Sequence, residues 1–227
     1  MNRREFFKKG SLYLSGALIA GSGILKNRAF AAPERNINFS LDVVTSQPGL
    51  AIRKIDELIK QSGLKNHRIN FTEYQLPGSH IGDIAFVRSQ QLINFYKLDD
   101  PFSLSLKETA KSLALPQSLE NPVLLRFYSD MAGGIPQRVN IFRGNLLMHQ
   151  LPIAENTRSF RAKSNHGHID ISVTDGKVKI ISASCQHKTC IKLGAINRPG
   201  QSLVCIPNRL RVDIEGSSDT GVDGITF

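Results

Sequence analysis

Ser184 to Ile214 read SCQHKTCIKLGAINRPGQSLVCIPNRLRVDI and hold all three cysteines of this 227-residue chain: Cys185, Cys190 and Cys205. Four residues separate the first two cysteines, and fourteen separate the second from the third. Pro199-Gly200 marks a turn before the third cysteine, because glycine accepts the positive φ that tight turns need. The segment therefore predicts a hairpin-like unit in which folding brings three sulfur atoms together.

Short alternating strands surround this unit. From residue 123 onward, apolar and polar residues alternate between turn residues and no helix is predicted, with candidate strands at 123–128, 138–142, 145–149, 159–162, 168–174, 177–182, 201–204 and 210–214. Arg143-Gly144 and Asp175-Gly176 are hairpin signals. The pattern predicts a small all-β barrel or sandwich.

The first half of the chain has a mixed pattern. Strands are predicted at 36–45 and 68–76, one or two more at 83–95, and helices at 51–62 and 105–115. We expect a small α+β layer in which the first two strands form a parallel pair with a right-handed crossover. Because the pattern changes near 118–122, we predict two domains, an α+β domain at 33–120 and a β domain at 122–216, followed by a flexible tail at 217–227. The α+β domain resembles no family that we recognise.

The second half resembles the NusG domain II family. The likeness runs from about Leu124 to Gly216, and the residues that carry it are Cys185, Lys188, Cys190, Gly194, Ile196, Gly200 and the run Cys205-x-Pro207-Asn208-x-Leu210. The resemblance implies a compact β domain, and it implies no established activity or catalytic residue.

The amino terminus predicts export. Residues 2–8, NRREFFK, form a twin-arginine pattern, an apolar run follows at 12–25, and Ala29-Phe30-Ala31 is a small-x-small cleavage site. We expect a signal peptide at 1–31, the twin-arginine translocase as a partner during export, and a periplasmic or cell-envelope location. The alternative is a retained anchor, although the apolar run is shorter than the ~20 residues that a membrane span requires.

Charge is concentrated in the second half. The full chain carries a formal net charge of +10, and removal of residues 1–31 takes away six basic residues and one acidic residue, which leaves +5. Residues 122–216 hold 13 basic and 6 acidic groups. For an exported protein this excess favours an envelope protein or an anionic membrane surface as partner rather than nucleic acid.

The cysteines first suggest a disulfide. Exported proteins meet an oxidising environment, and a bond from Cys185 or Cys190 to Cys205 closes a loop of ~15 to 20 residues, worth about 3 kcal/mol in the chain-entropy model. The odd number of cysteines leaves one thiol over. A labile cysteine pair that exchanges thiols is a further alternative.

A metal site is the other interpretation, with Cys185, His187, Cys190 and Cys205 as ligands. Three thiolates and one imidazole suit tetrahedral zinc. The Cys185-x-His187 spacing followed by Cys205 also resembles the paired loops of Rieske [2Fe–2S] proteins, which need two cysteines and two histidines. Asn208 stands where the second histidine belongs, and an amide is a poor iron ligand. The residues therefore favour a disulfide, with zinc or an iron–sulfur cluster as the alternative and no cofactor predicted.

No arrangement of residues typical of catalysis stands out. We therefore expect an exported, non-enzymatic envelope accessory or binding protein whose basic β domain is held together at its cysteine loop. The alternative function is redox exchange or electron transfer through a bound cluster or a labile disulfide.

Overall fold

A computed structural model describes residues 39–62, 69–129 and 134–217. The expected signal peptide and most of the expected tail lie outside the described residues. No helix of the described residues is long and apolar enough to cross a membrane.

The described residues up to 129 form an antiparallel five-stranded sheet with two helices. The strands run in the order β2-β7-β1-β4-β5 and are β1 (Phe39–Thr45), β2 (Ile69–Gln75), β4 (Ile84–Arg88), β5 (Gln91–Ile93) and β7 (Val123–Ser129). The helices are α1 (Pro48–Gln61) and α2 (Pro101–Ser112). The predicted α+β character of this region is therefore confirmed.

Local sequence explains where the helices begin. Proline stands in the first turn of each, where its missing N–H leaves no hydrogen bond unmade. The Asp100 side chain accepts a hydrogen bond from the Ser103 N–H at 3.2 Å and so caps α2. The sequence pattern predicts the start of this helix at residue 105, too late by one turn, because it takes no account of the cap. α1 buries Ala51, Ile55, Leu58 and Ile59 at helical spacing.

The expected direct pairing of the first two strands is wrong. β7 lies between β1 and β2 and is antiparallel to both. β2 pairs only with β7, whereas β1 pairs with β7 on one side and β4 on the other. β7 comes some 50 residues later in the chain than β2. The domain boundary predicted between residues 120 and 122 therefore lies between β7 and the two strands with which it pairs, β1 and β2.

The second half is all-β, as predicted. One sheet has the order β10-β11-β12 and the other β13-β14-β8-β9. Their strands are β8 (Ile135–Arg143), β9 (Leu146–Pro152), β10 (Thr157–Ser164), β11 (Gly167–Thr174), β12 (Lys177–Ala183), β13 (Ser202–Cys205) and β14 (Leu210–Ser217). Gly144 has φ 59° and Gly176 has φ 68°, so both predicted hairpin turns form at residues with positive φ.

A short ribbon is not predicted by the sequence pattern. β3 (Ser79–Gly82) pairs antiparallel with β6 (Gln117–Glu120). Gly82 fits here because a Cβ would lie 2.5 Å from Leu119 Cδ1 and 2.8 Å from Leu115 Cδ2. The ribbon lies next to the cysteine loop, as hydrogen bonds described below show.

The two halves share one hydrophobic core. Val44 and Leu76 of the first half and Leu124 of β7 are buried in the same cluster as Ile141, Ile169 and the other inward residues of the β sheets. The described residues all fall within one compact unit. The division into two domains at 33–120 and 122–216 stays a prediction, although this contiguous core joins the two regions.

Candidate functional site

Three different elements carry the three cysteines. Cys185 follows β12, Cys190 lies in a single 3₁₀ turn at Thr189–Leu193, and Cys205 is the last residue of β13. The 3₁₀ turn is preceded by Lys188 at φ 50° and followed by Gly194 at φ 78°. These two residues with positive φ reverse the chain on each side of Cys190 and direct it back toward Cys185.

The sulfur atoms form a compact group. The Sγ atoms of Cys185 and Cys190 are 3.7 Å apart, and all three Sγ atoms lie within 4.8 Å of one another. The side chains are buried, with exposed fractions of 8%, 4% and 1% for Cys185, Cys190 and Cys205. The prediction that folding gathers the sulfurs is therefore confirmed.

The cysteines are free thiols, so the predicted disulfide is not formed in this structure. A disulfide needs an S–S distance of about 2.05 Å, well short of the 3.7 Å between Cys185 and Cys190. The chain holds the sulfurs side by side through the turns around them, without a covalent bond.

Backbone N–H groups point at two of the sulfurs. The backbone N–H of Lys188 favours the charged form of Cys185, and the backbone N–H of Asn208 favours the charged form of Cys205. In each loop the donor stands three residues after the cysteine, so both cysteines begin a tight turn of the same kind. Such donors stabilise negative charge on sulfur.

The three thiols share their ionisation unequally. Hydrogen bonds from the Cys190 and Cys205 thiols lower the pKa of Cys185 to about 3. The same contacts act in reverse on the partners: donation to Cys185 raises the pKa of Cys205 to about 11 and raises the pKa of Cys190 well above its usual range. The arrangement therefore favours ionisation of Cys185 and the protonated form of Cys190 and Cys205.

A cavity of about 150 Å³ opens beside the sulfurs. All three cysteines line it, together with Val44, Ala85 and Leu124 of the five-stranded sheet. The lining also includes polar residues: Asp42, Asp83, His187, Lys188 and Thr189. The cysteine loop, the end of β13 and the five-stranded sheet thus enclose one largely apolar space. The site is built by both halves of the chain, which neither half of the sequence indicates alone.

His187 does not join the sulfur group. Among the described residues, the only cluster of metal-ligating side chains consists of Cys185, Cys190 and Cys205. The Nδ1–H of His187 donates to the carbonyl oxygen of Ser79 at 2.6 Å, which attaches the cysteine loop to β3. Its ring lies near that of His80, with 6.1 Å between centroids. The structure therefore brings together three of the four predicted ligands.

Asn208 has a structural contact in place of a ligand role. Its Nδ2 donates to the carbonyl oxygen of His168 at 2.8 Å, and its Oδ1 accepts from Ser184 Oγ at 3.4 Å. Its side chain is 1% exposed and joins the loop after Cys205 to the end of β12. The amide thus aligns the two cysteine loops, and the second imidazole of a Rieske site is not supplied at this position.

Arg126 supports the site, although the sequence pattern does not single it out. Its Nε donates to Asp42 Oδ1 at 2.9 Å, while its two terminal nitrogens each donate at 2.7 Å to the carbonyl oxygens of Leu193 and Ser202. Those carbonyls belong to the 3₁₀ turn and to the start of β13. One signal could have revealed it: a lone arginine inside the apolar strand VLLRFYS, where a charge needs buried partners.

This fold and site define a β domain with a buried cysteine cluster, docked on an α+β layer. Residues 121–218 match the family model described as NusG domain II. The resemblance predicted for this half is thereby confirmed. No curated protein matches the chain.

Solved structures similar to this chain include three bacterial proteins. A DUF1312 family protein from Ruminococcus gnavus is 22% identical with a TM-score of 0.31, and covers 35% of this chain and 99% of its own. The Lin0431 protein from Listeria innocua is 16% identical with a TM-score of 0.33, and covers 36% of this chain and 98% of its own. A DUF1312 family protein from Enterococcus faecalis is 17% identical with a TM-score of 0.33, and covers 35% of this chain and 97% of its own.

Proposed function

We propose that this protein is a non-enzymatic binding module whose cysteine cluster holds a thiophilic metal ion. The observation that carries the proposal is the approach of three free, buried sulfur atoms to within 4.8 Å of one another. A tetrahedral metal with M–S bonds of about 2.3 Å has S···S edges of about 3.8 Å, close to the 3.7 Å between Cys185 and Cys190. Metal binding would therefore require little movement of the chain.

Ligand chemistry supports a soft ion. Thiolates select monovalent copper, zinc and iron over hard cations such as magnesium and calcium. The N–H donors of Lys188 and Asn208 add the second layer of contacts that orients metal ligands. The ion would replace the thiol protons of Cys190 and Cys205, which pass to solvent.

Metal titration of the reduced full chain under anaerobic conditions tests this function. We expect one Cd²⁺ per chain, with a sulfur-to-metal charge-transfer band in the ultraviolet. Single Cys185→Ser, Cys190→Ser and Cys205→Ser variants should each lose the band, whereas His166→Ala, a change at an exposed turn, should keep it. Absence of a bound ion, or an equal band in a triple serine variant, would overturn the proposal.

Thiol–disulfide exchange is the second candidate function, favoured by the 3.7 Å separation of Cys185 and Cys190. In this reaction both thiols lose a proton and together give up two electrons to a disulfide of a partner, which is reduced to two thiols while an S–S bond forms here. Equilibration with glutathione buffers and mass mapping separates this function from metal binding. A Cys185–Cys190 bond formed at a defined potential supports exchange.

We also propose export to the cell envelope, with the twin-arginine translocase as the partner in transit and a basic β domain that contacts an envelope protein or an anionic membrane surface. The arginine pair at positions 3 and 4 and the charge of residues 122–216 support this. Cell fractionation of the wild type and of an Arg3→Lys, Arg4→Lys variant tests it. Retention of the wild type in the cytoplasm would contradict export.

A further inference from the structure

We infer that the ion suited to this site is monovalent copper, bound by Cys185, Cys190 and Cys205 alone in a three-coordinate, all-sulfur geometry. The inference rests on the proposed metal-binding function and specifies its ligand class. It differs from the zinc and iron–sulfur alternatives in the number and kind of donor atoms.

The donor set is the first argument. The described residues place no imidazole or carboxylate in the sulfur group. The polar side chains nearest the cavity already have partners: Asp42 accepts from Arg126 Nε at 2.9 Å, and Asp83 Oδ1 accepts from the Ile84 N–H at 2.7 Å. His187 is turned to the Ser79 carbonyl through its Nδ1. The Nε2 atom of His187 could serve as a fourth ligand without loss of the Ser79 contact, but it lies outside the sulfur group in this structure.

Coordination preference is the second argument. Structural zinc sites are almost always four-coordinate and tetrahedral, so zinc here would have to take its fourth ligand from solvent. The space beside the sulfurs is largely apolar, and Val44, Ala85 and Leu124 line it. Asp42, Asp83 and Lys188 line it too, so a water that completes a zinc site would depend on these few polar groups. Monovalent copper is a soft ion with a filled d shell and is satisfied by three thiolate sulfurs.

Sulfur spacing is the third argument, and it disfavours a cluster. The Sγ atoms of cysteines that bind different irons of a cluster lie farther apart than the Sγ atoms of cysteines that bind one ion, because the distance between the two irons is added. Here all three sulfurs lie within 4.8 Å of one another, which fits a single ion.

Charge compensation is the fourth argument. A monovalent ion neutralises less thiolate charge than a divalent ion does, so the protein must supply the rest. The backbone N–H groups of Lys188 and Asn208 favour the charged forms of Cys185 and Cys205, and Lys188 also lines the cavity.

X-ray absorption on the full chain loaded anaerobically with one equivalent of Cu(I), supplied as its acetonitrile complex, tests the inference. We expect three sulfur scatterers and no nitrogen or oxygen in the first shell, and displacement of previously bound Zn²⁺ by Cu(I). A nitrogen or oxygen scatterer, a fourth ligand, or Zn²⁺ retained against Cu(I) would overturn the inference while leaving metal binding intact. If no metal binds at all, the proposed function fails as well.

Two variants separate a three-sulfur site from a site that includes the histidine. Competition with a chromophoric Cu(I) chelator should show that Cys190→Ser lowers the Cu(I) affinity by on the order of 100-fold or more. His187→Ala should keep the first-shell spectrum of three sulfurs and lower the affinity far less than Cys190→Ser does, because it removes only the contact of the loop with the Ser79 carbonyl. A loss in His187→Ala equal to that in Cys190→Ser would show that imidazole is a ligand. Circular dichroism of both variants confirms that they are folded.

Discussion

The guanidinium of Arg126 and the carboxylate of Asp42 stand directly opposite each other on the neighbouring strands β7 and β1, with 2.9 Å between Nε and Oδ1. Both side chains are almost completely buried, at 6% and 8% exposure. Burial raises the pKa of Asp42, and the charge and hydrogen bond of Arg126 act against that rise. The guanidinium therefore keeps a buried carboxylate paired while it also bonds to the carbonyls of Leu193 and Ser202.

Arg126→Met should destabilise the protein strongly. The change leaves the Asp42 carboxylate and two buried carbonyl oxygens without their donor, and loss of one partner of a buried pair costs about 3–5 kcal/mol. Urea unfolding monitored by circular dichroism measures the loss. Because Leu193 ends the 3₁₀ turn that carries Cys190 and Ser202 begins the strand that carries Cys205, metal affinity should fall too.

Arg161→Met is the matched control for this prediction. Arg161 donates two hydrogen bonds to Asp170 at 2.7 and 2.8 Å, yet its side chain is 54% exposed. Solvent screens that pair, so its removal should change stability far less. If both variants lose the same free energy of unfolding, burial does not make the Arg126–Asp42 pair more important than the Arg161–Asp170 pair.

Gly167→Ala should disturb the contact that aligns the cysteine loops. Gly167 has φ 142°, and a Cβ at this position would lie 2.2 Å from Ser184 Oγ and 2.5 Å from Asn208 Oδ1. We expect the free energy of unfolding to decrease by at least about 2 kcal/mol, because the backbone strain and the steric clash both destabilise the variant.

The control for this glycine is Gly144→Ala in the hairpin between β8 and β9. Gly144 has φ 59°, and no atom of the described residues lies within 4 Å of the position that a Cβ would take, so only the left-handed backbone is unfavourable. The free energy of unfolding of Gly144→Ala should be lower than that of the wild type by about 1 kcal/mol. Thermal unfolding of both variants decides the comparison, and a smaller loss for Gly167→Ala would show that Asn208 does not fix this loop.

Sequence reasoning succeeds where the fold is encoded in local patterns. The strands of the β half follow from alternation with a period of two, and Gly144 and Gly176 mark their turns by positive φ. The sequence also indicates the gathering of Cys185, Cys190 and Cys205, because only four residues separate the first two and the Pro199-Gly200 turn returns the chain before the third.

Long-range contacts account for what the sequence does not reveal. Nothing near β7 indicates that it inserts between β1 and β2, since strand pairing depends on partners distant in the chain. His187 stands in a metal-like spacing, but its partner is the Ser79 carbonyl, 108 residues away. The spacing could not distinguish a ligand from a side chain that attaches a loop to another strand.

Alkylation of the native, metal-free protein should modify Cys185 first. It is the most exposed of the three, at 8%, and the hydrogen bonds that lower its pKa to about 3 hold it as the reactive thiolate. Peptide mapping after brief iodoacetamide treatment measures the order, with denatured protein as the control in which all three react alike. First modification at Cys205 would contradict the arrangement of charge in the cluster.

Stability should depend on pH through Asp213. Its carboxylate accepts from Arg211 Nε at 3.0 and 2.9 Å, and both side chains are 1% exposed. Desolvation raises the pKa of Asp213 to about 6, although Arg211 acts in the opposite direction. A raised pKa means that the folded state binds the proton more tightly than the unfolded state does. The resulting stabilisation is fully present below the unfolded value near 3.8 and is lost as pH rises through about 6.

Asp213→Asn isolates this contribution, because the amide cannot ionise while the other titrating groups are kept. The free energy of unfolding of the wild type relative to the variant should decrease by roughly 3 kcal/mol between about pH 4 and about pH 7. Urea unfolding across that range measures the difference, and equal m-values in the two proteins show that the same transition is followed. The Arg211 guanidinium also stacks on Phe142, with 4.2 Å to the ring centroid. If the difference in the free energy of unfolding stays constant with pH, this guanidinium offsets the whole cost of burying the carboxylate.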